Sequence, residues 1–186
     1  MTSEVKVVDH LLQQAAQARR EHRSADAKRD LTEAVEALRA GGTQFELAGA
    51  LKALGQIERD LQHSDVALKH YQEAVALYRT LDEPLHLAHT VRHVGDILLV
   101  EGHHAQAEPC YQEALSIYRG NAKTVPLDLA NTIRGLAILK QETRNVDDAK
   151  ALWEEARDLY AAVKVEAGVA ESNRRLAQLA ASVKPK

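Results

Sequence analysis

The sequence is poor in the features that mark secreted and membrane proteins. It has one cysteine, Cys110, so no disulfide can form within the chain. We expect this thiol to be a small buried side chain, because it precedes Tyr111 in an apolar helical pattern. The longest wholly aliphatic run, Ile97 to Val100, is far shorter than a membrane-spanning helix. Charged side chains interrupt the first turns, so no apolar signal-peptide region is present. These absences predict a cytoplasmic protein.

The chain also lacks a strong charge of either sign. Its formal net charge is −3, and its isoelectric point is about 6.3. Such a chain has no general electrostatic attraction to nucleic acid or to an anionic membrane. We therefore expect neither of them as a partner.

Motifs that carry chemistry are missing as well. There is no glycine-rich phosphate loop, no Gly-x-Ser-x-Gly turn and no cysteine pair for zinc. Carboxylates are abundant, but they belong to solvated helix faces, such as Glu33 with Glu36 and Glu154 with Glu155. No nucleophile, base and orienting group form a recognisable set. The sequence therefore predicts a protein that is not an enzyme and that has no cofactor and no metal site.

What the sequence does contain is one pattern that recurs four times. Each copy has a small residue, an alanine twelve positions later, and then a large residue, an alanine and a large residue at steps of four, three and four. Successive copies are offset by 40, 40 and 42 residues. The members are Ala15, Ala27, Leu31, Ala34 and Leu38; Gly55, Ala67, Tyr71, Ala74 and Tyr78; Gly95, Ala107, Tyr111, Ala114 and Tyr118; Ala137, Ala149, Trp153, Ala156 and Tyr160. This periodicity is typical of a helical solenoid, in which each unit buries its apolar face against a neighbour.

The spacing within each copy predicts a helical hairpin. Steps of three and four place the alanines and the large residues on one face of a second helix, and glycine or alanine marks the close approach of the first helix. Thr43 and Glu46 form a predicted capping box, and Ser24, Ser64 and Asn145 are expected to cap second helices. The predicted helices span residues 4–22, 25–40, 44–62, 65–80, 84–101, 105–120, 126–143, 147–163 and 167–182.

The third copy resembles the tetratricopeptide repeat family most clearly. The residues that carry this resemblance are Leu87, Ala88, Val94, Gly95, Gly102, Ala107, Tyr111 and Ala114. The match extends from about Val8 to Ala181, and the 40–42-residue period is similar to the longer kinesin-light-chain-like repeats. The resemblance implies an all-α, right-handed α-α superhelix of about four hairpins plus a C-terminal capping helix. A single array over residues 1–186 is expected, with hairpins at about 4–41, 43–82, 84–122 and 125–164 and the capping helix at 167–182.

The resemblance also implies a concave groove that binds a protein or a peptide. Lys52, Arg92, Arg134 and Arg174 occur at equivalent positions of four first helices, and such a file of cations could attract acidic side chains or a carboxylate. Alternatively, these cations pair with Asp96, Glu142 and Glu171 and only solubilise the inner face. The other expected groove residues are Gln56, His89, Asp96, Asn131, Ile138 and Gln178, with apolar Leu99 and Val100. We expect Arg92 and Arg134 to lie outside the packing stripe.

Two further alternatives remain open. His86, His89 and His93 lie near one helix face and could hold a metal, although no carboxylate ligand accompanies them at fixed spacing. The first helix carries Val7, Val8, Leu11 and Leu12, which could drive self-association into a homo-oligomer through the terminal helices. The sequence does not identify the partner.

Overall fold

The computed structural model describes the backbone of residues 3–182 and the side chains of residues 6–181. Within that range the chain forms nine α-helices and no β-strand. The helices are α1 (Ser3–Arg20), α2 (Ser24–Gly41), α3 (Gln44–Asp60), α4 (Ser64–Thr80), α5 (Pro84–Val100), α6 (His104–Gly120), α7 (Pro126–Glu142), α8 (Val146–Ala162) and α9 (Glu166–Ser182). Each helix end lies within two residues of its predicted position, so the all-α fold class is confirmed.

The chain divides into two compact units, residues 1–90 and residues 91–186. In the first unit, each helix from α1 to α4 packs against the next helix along the chain. In the second unit, the helices from α6 to α9 pack in the same successive way. The single array and the boundaries of its hairpins stay a prediction.

The packing stripe of each hairpin is buried as the repeat predicts. Tyr71, Tyr111 and Trp153 are fully buried, and the alanines that flank them are buried too. A methyl group added at Gly55 would lie 3.2 Å from the Tyr71 ring, so glycine allows the ring to pack against the first helix. Cys110 is half-buried rather than buried, and its thiol donates to the Gln106 carbonyl oxygen at 3.4 Å.

The hairpin turns share one backbone conformation. The residue at the apex has a positive φ in all four turns, and only one of the four is glycine: His22, Gln62, Gly102 and Arg144. The following amide closes each turn with a hydrogen bond to the last part of the preceding helix, such as His63 N to Glu58 O at 2.8 Å. Four turns of one kind give the hairpins their regular geometry.

The helix caps agree only in part with the sequence prediction. The Thr43–Glu46 capping box is present, and the Asn145 side chain accepts a hydrogen bond from Asp148 N at 3.4 Å. Ser24 and Ser64 are not caps, because each is the first helical residue and the turn conformation places Arg23 or His63 at the cap position. Neither of those caps makes a side-chain hydrogen bond.

The longer last offset of the repeat comes from one connection. Three residues, 81–83, join α4 to α5, whereas five residues, 121–125, join α6 to α7. Thr124 Oγ1 donates to Tyr118 O at 2.7 Å, and Asn121 Oδ1 accepts from Lys123 N at 2.9 Å. The two extra residues therefore lie between hairpins and leave the helices unchanged.

Trp153 lies in the core of the second unit. It packs with Ala137, Ala149 and Leu179. Its Nε1 donates to Gln141 Oε1 at 3.3 Å, and the guanidinium carbon of Arg175 lies 5.8 Å from the ring centroid. The indole is thus held by packing, a hydrogen bond and a cation on its face.

Candidate functional site

The predicted groove residues fall in both compact units. In the first unit, Lys52 and Gln56 of α3 and His89 of α5 are half-buried. In the second unit, the predicted residues belong to α5, α7 and α9, where ion pairs and hydrogen bonds connect several of them.

Arg92 is more buried than the sequence suggested, with 8 % of its surface exposed. Its Nη1 donates to Asp96 Oδ2 at 2.7 Å, and its Nη2 donates to His93 Nε2 at 3.0 Å. Because a guanidinium has only donors, His93 Nε2 must be the acceptor, which leaves the proton of a neutral ring on Nδ1. That atom faces Asp96 Oδ2 at 3.4 Å. Arg92 is therefore buried in a polar network of α5 side chains.

Asp96 is the centre of this buried network. Its Oδ1 accepts a hydrogen bond from Tyr111 Oη at 2.9 Å. Burial raises the pKa of Asp96, but the hydrogen bond from His93 and the charge of Arg92 outweigh burial, so the pKa is lowered. Burial and the neighbouring Asp96 charge raise the pKa of Tyr111. The network thus pairs an ionised carboxylate with a neutral phenol.

A second cluster surrounds Glu171 on α9. Arg134 of α7 donates from Nε and Nη2 to the two Glu171 oxygens at 2.6 and 3.0 Å. Arg175 Nη2 lies 3.9 Å from the same carboxylate, and Arg174 is exposed one position earlier. The hydrogen bond from Arg134 lowers the pKa of Glu171 against the opposing effect of burial, and the charges of all three arginines add to this shift. Three cations therefore surround one carboxylate.

The remaining predicted residues of the second unit have mixed roles. Asn131 Oδ1 accepts from Tyr160 Oη at 2.8 Å. Ile138 is half-buried against the core that contains Trp153. Val100, at the end of α5, is 84 % exposed and is the most accessible large aliphatic side chain among the described residues.

The alternative in which the cations form ion pairs holds for part of the site. Asp96 pairs with Arg92 and Glu171 pairs with Arg134, as that interpretation proposed. Glu142 instead faces His104, with Nε2 and Oε2 2.9 Å apart. Sequence reasoning did not foresee the contacts of His93 and Tyr111 with Asp96. The spacing of Arg92, His93 and Asp96 by three and four residues was the available signal.

The histidines of α5 have separate surroundings. His86 stacks on Tyr78 with 5.2 Å between ring centroids, and its Nδ1 lies 3.3 Å from Glu83 Oε2. His93 belongs to the Arg92–Asp96 network. Within the side chains that the structure describes, no three histidine, cysteine or carboxylate groups are arranged to hold a metal ion.

The apolar residues of the first helix, on which the self-association alternative rests, differ in exposure. Val8 and Leu11 are buried within the chain, and Leu12 is half-buried. Val7 is the member of that set that is exposed.

These features define a class of protein built from repeated helical hairpins, with polar side chains of successive first helices brought together. A family model described as tetratricopeptide repeat matches residues 46–120. That segment therefore consists of tetratricopeptide repeats, as the resemblance predicted. No curated protein matches the chain in sequence.

This fold is found in solved structures, of which two are described here by their similarity. The crystal structure of BtubC (BKLC) from P. vanneervenii has a TM-score of 0.80 and 19 % identity, over 88 % of this chain and 67 % of that chain. The crystal structure of aspartyl phosphate phosphatase F from Bacillus subtilis has a TM-score of 0.83 and 11 % identity. It is matched over 93 % of this chain and 45 % of that chain, so this chain spans less than half of the phosphatase. At these identities the likeness concerns the fold.

Hydropathy adds one negative finding. None of the described helices is both long enough and apolar enough to cross a membrane.

Proposed function

We propose that this chain is a protein-interaction module that binds an extended segment of a partner along its first helices. The fold supports this role, because tetratricopeptide repeats are scaffolds that typically mediate protein interactions. We also propose that the chain acts in the cytoplasm, which its single cysteine suits, and that it catalyses no reaction of its own. Neither nucleic acid nor membrane is part of the proposed role.

The proposed ligand has acidic or carboxylate character. The observation that carries this preference is the cluster around Glu171, where Arg134, Arg174 and Arg175 place three positive charges against one negative charge. Arg174 is exposed, and the Arg134 side chain keeps 40 % of its surface exposed. The cluster therefore has a surplus of two positive charges, which can attract an acidic segment.

Fluorescence anisotropy with defined peptides tests this proposal. A labelled peptide of alternating glutamate and serine should bind, and the matched lysine–serine peptide should not. Arg174→Glu should weaken the acidic peptide about tenfold at low salt, because it reverses an exposed charge at the site. Lys150→Glu makes the same charge change on an exposed position of α8 and should leave affinity within about twofold.

Two outcomes would contradict the proposal. Equal affinity for the acidic and the basic peptide would remove the preference for carboxylates. An equal effect of Arg174→Glu and Lys150→Glu would show that net charge alone governs binding, and that the Glu171 cluster is not the site.

A further inference from the structure

Three aromatic rings of the first unit pack together, two of them at the surface. Tyr78 of α4 is fully buried, and the His86 ring of α5 stacks on it with 5.2 Å between centroids. The Phe45 ring of α3 lies 5.1 Å from His86 and 6.1 Å from Tyr78. Since these three distances are similar, both neighbours lie on one side of Phe45. Phe45 keeps 42 % of its surface exposed, so a ligand can reach the rest of the ring.

A carboxylate adjoins these rings. Glu83 Oε2 lies 3.3 Å from His86 Nδ1, and the Glu83 and His86 side chains are exposed to nearly the same extent as Phe45. Burial and the Glu83 charge raise the pKa of Tyr78 to about 12, so this carboxylate acts on the ring cluster itself. Among the described side chains, no lysine or arginine forms an ion pair with Glu83. Exposed aromatic rings and a carboxylate without such a partner therefore form one continuous surface.

The same two kinds of group hold an arginine within the second unit. The guanidinium carbon of Arg175 lies 5.8 Å from the centroid of the Trp153 ring, and Arg175 Nη2 lies 3.9 Å from Glu171 Oε1. A guanidinium suits this place because it is planar and weakly hydrated, so its face can lie against a ring while its edge donates to a carboxylate. A lysine ammonium is compact and strongly hydrated, and gains less from the same contacts.

We infer that Phe45, His86 and Glu83 bind the guanidinium of an arginine on a partner protein. The guanidinium lies against the exposed part of the Phe45 and His86 rings and donates to the Glu83 carboxylate. This site belongs to the first unit and uses no residue of the Glu171 cluster. It therefore goes beyond the proposed function, which concerns an acidic segment, and adds a contact for a basic side chain.

Nuclear magnetic resonance tests the inference with a label that needs no assignment. Phe45 is the chain's one phenylalanine, so phenylalanine with a ¹³C-labelled ring reports this site alone in the whole protein. The probes are acetylated and amidated tripeptides with serine at both ends and arginine, lysine or citrulline in the middle. Citrulline keeps the shape of arginine without its charge. The arginine peptide should shift the Phe45 ring signals and saturate, the lysine peptide should bind at least about fivefold more weakly, and the citrulline peptide should cause no shift.

Saturation-transfer measurements on the arginine peptide then compare variants of the site. Glu83→Gln removes the charge and should weaken binding about three- to tenfold. Phe45→Leu removes the aromatic face but keeps an apolar side chain, and should weaken binding about two- to fivefold. The fold should tolerate this change because Leu85 occupies the equivalent position of the next first helix. Glu36→Gln makes the same charge change on an exposed position of α2 and should bind like the wild type.

Four results would overturn the inference. Absence of a shift with the arginine peptide would mean that the rings only close the edge of the core. Equal shifts with arginine and citrulline would reduce the site to an apolar contact, and equal affinities for arginine and lysine would remove its preference for a guanidinium. Equal effects of Glu83→Gln and Glu36→Gln would assign binding to net charge. Phe45→Leu is not needed for any of these decisions if it fails to fold.

These results are independent of the proposed function. None of the three probes is acidic, and none of the variants changes the Glu171 cluster. Failure of the arginine peptide would leave the binding of the acidic peptide and its loss in Arg174→Glu as they are. Conversely, a shift of the Phe45 signals would stand if the acidic peptide did not bind.

Discussion

Lys140 on α7 donates to Glu108 on α6 at 2.6 Å, and an equivalent ion pair of opposite polarity occurs in the first unit. There Lys28 of α2 lies 2.9 Å from Glu58 of α3. Lys28 and Glu108 differ by 80 positions and Glu58 and Lys140 by 82, so each occupies the other's place in the repeat. The same contact between hairpins is thus made with its charges exchanged. In these two seams the pair is therefore made with either order of its charges.

Exchanging the charges should therefore be tolerated where a single reversal is not. Lys140→Glu alone places two carboxylates together at a site where the wild-type side chains are 17 % and 31 % exposed. It should lower the free energy of unfolding by about 1 to 2 kcal/mol. Glu108→Lys combined with Lys140→Glu should recover most of that loss. Urea titration measures the three proteins, and a double variant no more stable than Lys140→Glu would show that the pairing is not reversible.

Gly135 is predicted to be essential for packing. A methyl group there would lie 2.5 Å from Tyr111 Cε1, because the ring packs directly on the α7 backbone. Gly135→Ala should therefore lower the free energy of unfolding by about 1 to 3 kcal/mol. Gly120→Ala is the control, since its methyl group would meet nothing within 4 Å. Thermal melting should separate the two variants, and equal melting temperatures would contradict the observed position of the ring.

Two substitutions at equivalent positions of the hairpin turns should change the stability of the fold in opposite directions. Gly102 has φ of +76° and no atom within 4 Å of an added methyl group, so Gly102→Ala tests backbone strain alone. We expect Gly102→Ala to lower the free energy of unfolding by about 1 kcal/mol. Gln62 occupies the equivalent position of another hairpin turn, with φ of 65°. Gln62→Gly should relieve the backbone strain there and raise the free energy of unfolding by up to about 1 kcal/mol. Chemical denaturation measures both variants. If both substitutions lowered the free energy of unfolding, or both raised it, backbone strain at these turns would not be the cause.

His70 should make the stability of the fold depend on pH. Burial lowers its pKa from the ordinary value of 6.5, and the positive charges of Arg39 and Lys28 act in the same direction against Glu58 and Glu73. The unfolded chain therefore takes up a proton at a higher pH than the folded chain does. The stability that this histidine contributes is complete above pH 6.5 and is lost as the pH falls towards the folded pKa.

Urea titration at several pH values between about 5 and 7 checks this prediction. His70→Gln should reduce the loss of stability on acidification. Lys69→Gln changes an exposed neighbour on α4 and should leave the pH dependence unchanged. An unchanged pH dependence in His70→Gln would assign the effect to other groups.

The helices could be predicted from the sequence because the spacing of small and large residues is itself the packing rule. An alanine or glycine opposite Tyr71 or Tyr111 is needed wherever a ring enters the seam, so the pattern locates each hairpin. The caps at Ser24 and Ser64 were misplaced because the turn is closed by backbone hydrogen bonds at a left-handed residue. The left-handed position is occupied by histidine, glutamine, glycine or arginine, so no single residue type identifies this turn in the sequence.

The site was harder to predict for a different reason. Equivalent positions in the repeat indicate which face a side chain shares, but they do not indicate whether it is exposed. Arg92 and Arg174 are equivalent, yet Arg92 is buried in a network with Asp96 and Arg174 is exposed. The difference depends on the contacts that Asp96 makes with His93 on the same helix and with Tyr111 on α6.

The indole of Trp153 gives the molecule a built-in optical reporter. It is the chain's one tryptophan, and it is fully buried in the second compact unit. Its fluorescence therefore follows the melting of residues 91–186, whereas far-ultraviolet circular dichroism follows the helices of the whole chain. Coincident denaturation curves would mean that one cooperative transition unites all the hairpins, as a single array implies. Displaced curves would mean that repeats at one end separate first, as stacked repeats with weak nearest-neighbour coupling do.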